Sequence, residues 1–174
     1  MNKSLIALAI VAGSAFTTVA QAADGTINFT GTITDTACTI STATKNQTVS
    51  LGTVSKTAFA AAGDTAAPTK FSIVLQNCPT TVASAAVKFD GPIDPNNTKL
   101  LALTSGTGIA TGVAVGIYEK DAATLIPIAT NSASQTLSST ADNTFEFIAK
   151  YVSTSATVVS GPANAATNFT ISYP

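Results

Sequence analysis

Cys38 and Cys78 are the only cysteines in a chain of 174 residues that contains no histidine. A metal site built on them would lack the imidazole partners that such sites commonly use, and a redox pair would normally lie closer together in sequence. In an exported protein, an even pair of cysteines indicates one disulfide. We therefore predict a Cys38–Cys78 bond, which closes a loop of 40 residues and stabilises the fold by roughly 4 kcal/mol on a chain-entropy account.

The titratable side chains are too few and too scattered to predict an active site. All eight basic residues are lysines, and the densest charged group is Glu119, Lys120 and Asp121. Successive strand residues point to opposite faces, so these three do not converge and are interpreted as a solvated turn. The sequence therefore predicts no enzyme, no cofactor and no small-molecule substrate.

The glycine-rich stretch GTGIATG, residues 106–112, is the segment that most suggests a phosphate site. Dinucleotide binding requires glycines that turn a strand into a helix, whose N-terminus holds the pyrophosphate. Here the stretch leads into GVAVGIYE, which is typical of a strand, so a hairpin loop is favoured. Charged residues make up only 10% of the chain, and this composition does not suit a nucleic-acid partner.

Residues 1–22 have the pattern of a secretory signal peptide. Lys3 precedes an apolar run over 5–12, and small residues lead to a predicted cleavage between Ala22 and Ala23. An uncleaved amphiphilic tail is the alternative. Cleavage would leave 152 residues, which suits a single domain with its own core. No later apolar segment of the sequence has the length of a membrane span.

Apolar residues at a period of two dominate the rest of the sequence and predict strands. The predicted strands cover 70–78, 85–89, 99–104, 112–118 and 145–151. Turn signals rich in Pro, Gly and Asn separate them, and 154–167 is interpreted as a loop. The pattern predicts an antiparallel sandwich or barrel. One short helix, capped by Ser55 and ended by Gly63, would be marginal.

Both ends of the mature chain have the pattern of a sheet edge. Near the amino terminus, one face of an extended chain carries Ile27, Phe29, Gly31 and Ile33. At the carboxyl terminus, NFTISYP places Phe169, Ile171 and Tyr173 on one face. A terminal strand is ordinarily a member of its own domain's sheet, and composition alone favours that interpretation.

Several segments, taken in their order and spacing, carry a resemblance to a known family. They are GTINFTGTITDTACTI, IVLQNC, AAVKFDG, VGIYEKD, FIAKY and the tail GPANAATNFTISYP. Together these segments span the whole mature chain, which is similar to the structural pilins of the chaperone–usher fimbriae and close to the major subunit of type 1 fimbriae.

The resemblance implies an all-β fold, an incomplete immunoglobulin-like sandwich that lacks its last strand. Residues 23–34 would form a donor-strand extension and residues 35–174 the pilin domain. The extension of the next subunit would fill the open groove with Ile27, Phe29 and Ile33. Gly31, which has no Cβ, would permit close approach. An unpaired edge beside an open core would otherwise aggregate.

The resemblance also implies partners and a location. Phe169, Ile171 and Tyr173 would line the acceptor edge, which pairs first with a periplasmic immunoglobulin-like chaperone and later with another pilin. The chaperone would hold the carboxylate of Pro174, a residue that departs from the usual polar terminus and lacks a backbone donor. An outer-membrane usher would export the subunit through the periplasm to an extracellular fimbrium.

The function implied is structural: a subunit that polymerises by donor-strand exchange into the shaft of the fimbria. The alternatives are a minor adaptor subunit of the fimbrial tip and a glycan-binding adhesin module. Adhesins of this system resemble a pilin domain preceded by a lectin domain, which one domain's length cannot accommodate. The chain also has no Trp to stack on a sugar ring.

Overall fold

The computed structural model describes residues 25–31, 33 and 37–174. The predicted signal peptide and the cleavage site at Ala22 and Ala23 lie outside the described residues. The chain divides into two units, Met1–Ile33 and Thr34–Pro174, and the second carries every strand described. Within the described residues, no helix has the length and apolarity needed to span a membrane.

The second unit is nearly all β-structure, as the sequence predicts. Its described strands are β1 (Thr39–Ile40), β2 (Thr65–Gln76), β3 (Ser84–Asp90), β4 (Val113–Glu119), β5 (Leu125–Ile126), β6 (Gln135–Thr136), β7 (Asn143–Ser153) and β8 (Asn168–Ser172). One helix of four residues, α1 (Thr42–Lys45), follows β1, and a 3-10 turn covers Lys56–Ala58. Strands β2, β3, β4 and β7 confirm four of the five internal predictions.

Two antiparallel sheets build the sandwich. One has the order β1-β2-β7-β4-β5, and the other has the order β6-β3-β8. The longest ladder joins β2 to β7, with Phe71 opposite Phe147. In the second sheet, β3 pairs with β8, and Phe89 lies opposite Phe169.

The core lies between the sheets and consists of the inward residues that the alternation predicts. Ile73 and Leu75 of β2 are buried, and so are Phe145 and Phe147 of β7. Phe89 of β3 closes the core from the facing sheet, with its ring centroid 5.1 Å from that of Phe147. Each such side chain contributes about 1.5–3 kcal/mol through burial.

The disulfide between Cys38 and Cys78 is present and joins the start of β1 to the segment that follows β2. The backbone N–H of Cys38 also donates to Tyr173 Oη at 3.2 Å. Asn143 Nδ2 lies 3.4 Å from Cys78 Sγ. The first and last residues of the sandwich therefore meet at one end of the molecule.

The predicted strand at 99–104 is wrong. Only Leu101 forms bridges there, to Ile93 and to Val115. The backbone N–H of Leu100 bonds to Asn97 O in a local turn, and Leu100 is buried beside Leu101. Ala102 N and Thr104 N donate to two different segments, at Pro92 O and Asn164 O, instead of to one partner strand. A continuous apolar run does not reveal this in sequence.

The segment with Ser55 and Gly63 forms a single 3-10 turn instead of a longer helix. Ser55 caps it as predicted, because its side chain accepts a bond from Thr57 N. The Asp64 carboxylate then takes the backbone N–H groups of Ala60 and Ala61, each at 2.7 Å. Since those groups bond to a side chain, the helix cannot continue.

Candidate strand-binding groove

An open groove of about 830 Å³ runs along one side of the sandwich. Its floor is the core itself, because Ile73, Phe89 and Ile117 line it together with Phe71. One wall is the chain from Ala163 to Phe169, which includes the start of β8, and the other is the segment 44–51. The groove is thus a gap in the sandwich through which core side chains can be reached.

The wall at β8 keeps a strict alternation over nine residues, 163–171. Every second side chain is half-buried toward the sandwich, and the residues between are exposed as far as Thr170. The half-buried set is Ala163, Ala165, Thr167, Phe169 and Ile171. On one edge β8 pairs with β3, and within the described residues its other edge has no strand partner. That free edge offers backbone donors and acceptors.

The opposite wall, residues 46–51, is an edge without a ladder. Val49 and Leu51 are half-buried, and their neighbours are exposed. Gln47 Nε2 donates to Ser72 O at 2.9 Å and holds the segment against β2. In the part of the chain that the structure describes, no backbone–backbone bond involves residues 46–54. Both walls can therefore accept a further strand.

Helix α1 explains why this wall leaves the sheet. The last backbone bond from this segment to β2 runs from Ser41 N to Val74 O at 2.9 Å. The next inward group is Thr44 Oγ1, which takes the Val74 N–H at 3.1 Å. A side chain thus replaces the ladder bond, and the following residues turn toward the groove.

Small side chains keep the groove open beside β8. Ala163, Ala165 and Thr167 provide little bulk to cover the floor. Two bonds fix this stretch: Tyr151 Oη donates to Ala163 O at 2.9 Å, and Thr104 N donates to Asn164 O at 2.7 Å. Burial raises the pKa of the Tyr151 hydroxyl above its ordinary value of 10.0.

The predicted acceptor residues divide into two groups. Phe169 lines the groove, whereas Ile171 and Tyr173 pack against the core without lining it. The Tyr173 hydroxyl accepts a bond from the Cys38 N–H. Burial raises the pKa of this hydroxyl, and the bond from Cys38 offsets only part of that rise. Pro174 is exposed.

The predicted donor residues are among the most exposed large apolar side chains described. Ile27 is 79% exposed, Phe29 is 91% exposed and Ile33 is 99% exposed. A Cβ added at Gly31 would meet no described atom within 4 Å. Residues 25–31 belong to no strand. Exposed apolar side chains at this spacing are typical of a segment that binds a partner.

Charges around the groove are few and of one sign. Lys45 is the charged residue that lines it, and Lys56 lines a second cavity of about 410 Å³ beside it. Over the described residues, the one ion pair within 4 Å joins Lys88 to Asp90. No group of carboxylate and cysteine ligands in the described residues could hold a metal.

The predicted turn at 119–121 is solvated and lies away from the groove. Asp121 accepts bonds from the hydroxyl and backbone N–H of Thr124 and from Ala123 N. These bonds, with that of the Thr124 hydroxyl the largest cause, lower the pKa of Asp121 to about 2. The carboxylate serves the turn and is not arranged for proton transfer.

Sequence reasoning missed most of both walls. Residues 163–167 alternate as clearly as β8, but Ala and Thr give almost no hydrophobic contrast, so the stretch is included in a predicted loop. Val49 and Leu51 do stand at a period of two in TVSLG. That signal could have identified the second wall, although two apolar residues make a weak pattern.

Comparisons with known proteins cover nearly the whole chain. The family described as fimbrial protein matches residues 27–174. A probable major fimbrial subunit of Escherichia coli O157:H7 is 40% identical, over 98% of this chain and 94% of the relative. A type I fimbria protein of Burkholderia pseudomallei is 42% identical with a TM-score of 0.62, over 86% of this chain and 97% of that one. The P pilus rod subunit PapA has a TM-score of 0.67 at 24% identity, covering 80% of this chain and 100% of that one, a likeness of fold.

Proposed function

The chain belongs to the fimbrial protein family, as a subunit of chaperone–usher pili, and on that premise we propose that it polymerises by donor-strand exchange into the shaft of a fimbria. Its fold is accordingly the incomplete immunoglobulin-like sandwich of pilins. In this proposal, residues 23–34 of one subunit fill the groove of the next.

One observation carries the proposal: the sandwich has a groove with two unpaired edges, and the same chain has an exposed apolar arm. A strand in the groove would bond to β8 on one side and to residues 46–51 on the other. Ile27, Phe29 and Ile33 would cover the floor, each contributing about 1.5–3 kcal/mol. An added strand supplies affinity through the main chain and specificity through alternate side chains.

The geometry favours an arm that runs antiparallel to β8. The chain enters its own sandwich at Cys38, beside Tyr173 at the carboxyl end of β8. An antiparallel arm brings its sandwich to the other end of the groove, near Ala163. A parallel arm would bring that sandwich to the end where the acceptor's own arm departs, and the two would compete for space.

Donor and acceptor surfaces on one chain form a head-to-tail contact. Such a heterologous contact does not close on itself, and its repetition builds a filament. A periplasmic chaperone would cover the same groove before assembly, and an outer-membrane usher would exchange it for the arm. Both partners belong to the proposal, as does the role of the Pro174 carboxylate in chaperone binding.

A shaft role is preferred to a tip adaptor because the chain spans 94% of a relative described as a probable major subunit. A glycan-binding module is the weaker alternative, since a probable major fimbrial subunit matches 98% of this chain. Electron microscopy with a label on this chain would separate the roles: shaft subunits are labelled along the fibre, and adaptors only at its end.

Deletion of residues 23–34, with the signal peptide retained, tests donor-strand exchange. We expect the truncated subunit to bind the chaperone normally, because its groove is intact. Without its arm, however, it should be unable to enter another subunit's groove and join a growing fibre. Replacing the polar face instead, with Asn28→Ser and Thr30→Ser, is the matched control and should leave assembly unchanged. Fibres of normal length from the truncated chain would contradict the proposal.

A further inference from the structure

The second cavity lies next to the groove and shares part of its lining. Both are lined by Tyr151, Ala163 and Asn164. Beyond them, the second cavity is lined by one charged residue, Lys56, which is exposed, and by apolar residues that include Val54, Phe59, Val113 and Val158. A carboxylate would suit this cavity, because Lys56 is the one charged residue of its lining and attracts an opposite charge.

The register of the arm determines which residue reaches this cavity, and this step rests on the proposed function. The groove spans four inward positions of its β8 wall, from Phe169 to Ala163. The arm has four inward positions, from Ile27 to Ile33. Matched antiparallel, the two sets place Ile33 opposite Ala163, and Asp35 falls two residues further on, opposite Gly161.

Gly161 and Lys56 line the same cavity. Asp35 has the parity of the inward residues, so an arm that keeps its alternation directs this carboxylate toward the cavity. We propose that the second cavity receives Asp35 of the neighbouring subunit's arm, and that Lys56 pairs with its carboxylate. The pair would fix the register of the arm in the groove and favour a matching donor subunit. It would act at the end of the groove nearest the donor's sandwich.

The charge distribution fits this pairing. Residues 37–174 contain seven lysines and seven carboxylates, whereas residues 23–36 contain two carboxylates and no lysine. No carboxylate lies within 4 Å of the Lys56 ammonium among the described residues. The arm's other carboxylate, Asp24, has the opposite parity and would face solvent. It therefore serves as an internal control.

The test uses full-length chains assembled with their chaperone and usher. We expect Asp35→Lys and Lys56→Glu each to lower the fibre elongation rate by about fivefold, because like charges then meet where opposite charges met. Co-expression of the two variants should restore the rate to within about twofold of wild type. The arm of each Asp35→Lys chain then meets the groove of a Lys56→Glu chain, where opposite charges face each other. The unaltered Asp35 of the second variant likewise meets the unaltered Lys56 of the first.

The mixture separates an intermolecular pair from a defect within one chain. A pair within one chain, or simple misfolding, would leave the mixture as slow as its components. Asp24→Lys with Lys120→Glu, in the exposed turn away from the groove, is the matched control, singly and mixed, and should show no rescue by mixing. Single variants that elongate at the wild-type rate, or a mixture without rescue, would overturn the inference. Failure of donor-strand exchange itself would instead appear as normal assembly by the chain lacking residues 23–34.

Discussion

At the residue scale, Gly31 separates folding from assembly most clearly. No described atom lies within 4 Å of the position that a Cβ would take there. A side chain at this position would therefore meet none of the residues that the structure describes in its own subunit. In the groove, by contrast, it would press against the sandwich wall, where excess volume costs about 1–3 kcal/mol.

We predict that Gly31→Leu slows strand exchange about tenfold or more and leaves the yield of chaperone-bound subunit unchanged. Mixing the variant with chaperone-bound wild-type subunit and following exchange by native electrophoresis measures the effect. Thr30→Leu adds the same bulk to the opposite face of the arm and should exchange normally. Exchange of Gly31→Leu at the wild-type rate would remove the close-approach argument.

Tyr151 gives a second residue-scale prediction, because its hydroxyl bonds to Ala163 O in the groove wall. Burial raises its pKa above the ordinary value of 10.0. The folded state therefore binds this proton more tightly than the unfolded state. The stabilisation is complete below pH 10 and is lost as the pH rises through the folded-state pKa.

We expect Tyr151→Phe fibres to lose about 1 kcal/mol of stability per subunit at pH 7, the usual contribution of one hydrogen bond. Between pH 9.5 and 11.5, approximately the range around the tyrosine pKa, they should weaken less steeply than wild type. Guanidinium midpoints across this range give the comparison. All lysines are common to both proteins, so equal slopes would show that Tyr151 contributes nothing to alkaline lability.

At the element scale, the sequence predicted the sandwich but not the walls of its groove. Strands β2 and β7 carry Phe and Ile at a period of two, a strong signal because those side chains form the core. Residues 163–167 alternate with Ala and Thr, and 46–51 leave β2 because Thr44 substitutes for a ladder bond. A local side-chain bond of that kind has no periodicity, so sequence patterns do not reveal it.

We predict that the amides of residues 47–51 are protected from hydrogen exchange in the assembled fibre. None of these residues makes a backbone–backbone bond in the described chain, so we attribute slow exchange in the fibre to an inserted strand. Exchange mass spectrometry of intact fibres measures this. The loop at 105–109 is the internal reference. If the amides of residues 47–51 exchange as fast as those of this loop, the inserted strand bonds to β8 alone.

At the scale of the whole molecule, the chain joins a sandwich with an unfilled core to an arm with the matching pattern. The Cys38–Tyr173 bond brings the first and last residues of the sandwich to one of its ends, where the disulfide also lies. An antiparallel arm then places successive subunits at opposite ends of each groove, which suits a linear filament. The amino acid sequence predicted these two incomplete surfaces through resemblance, and the structure describes the groove that gives the resemblance a physical basis.

The most direct test of this incompleteness adds the missing strand to the same molecule. A copy of residues 23–35 is attached after Pro174 by a short flexible linker, in a chain without its own amino-terminal arm. In the control, the appended copies of Ile27, Phe29 and Ile33 are Ser. We predict that the free energy of unfolding is larger by about 4.5–9 kcal/mol in the complemented chain, from three buried side chains. Equal free energies of unfolding in the two chains would contradict the account.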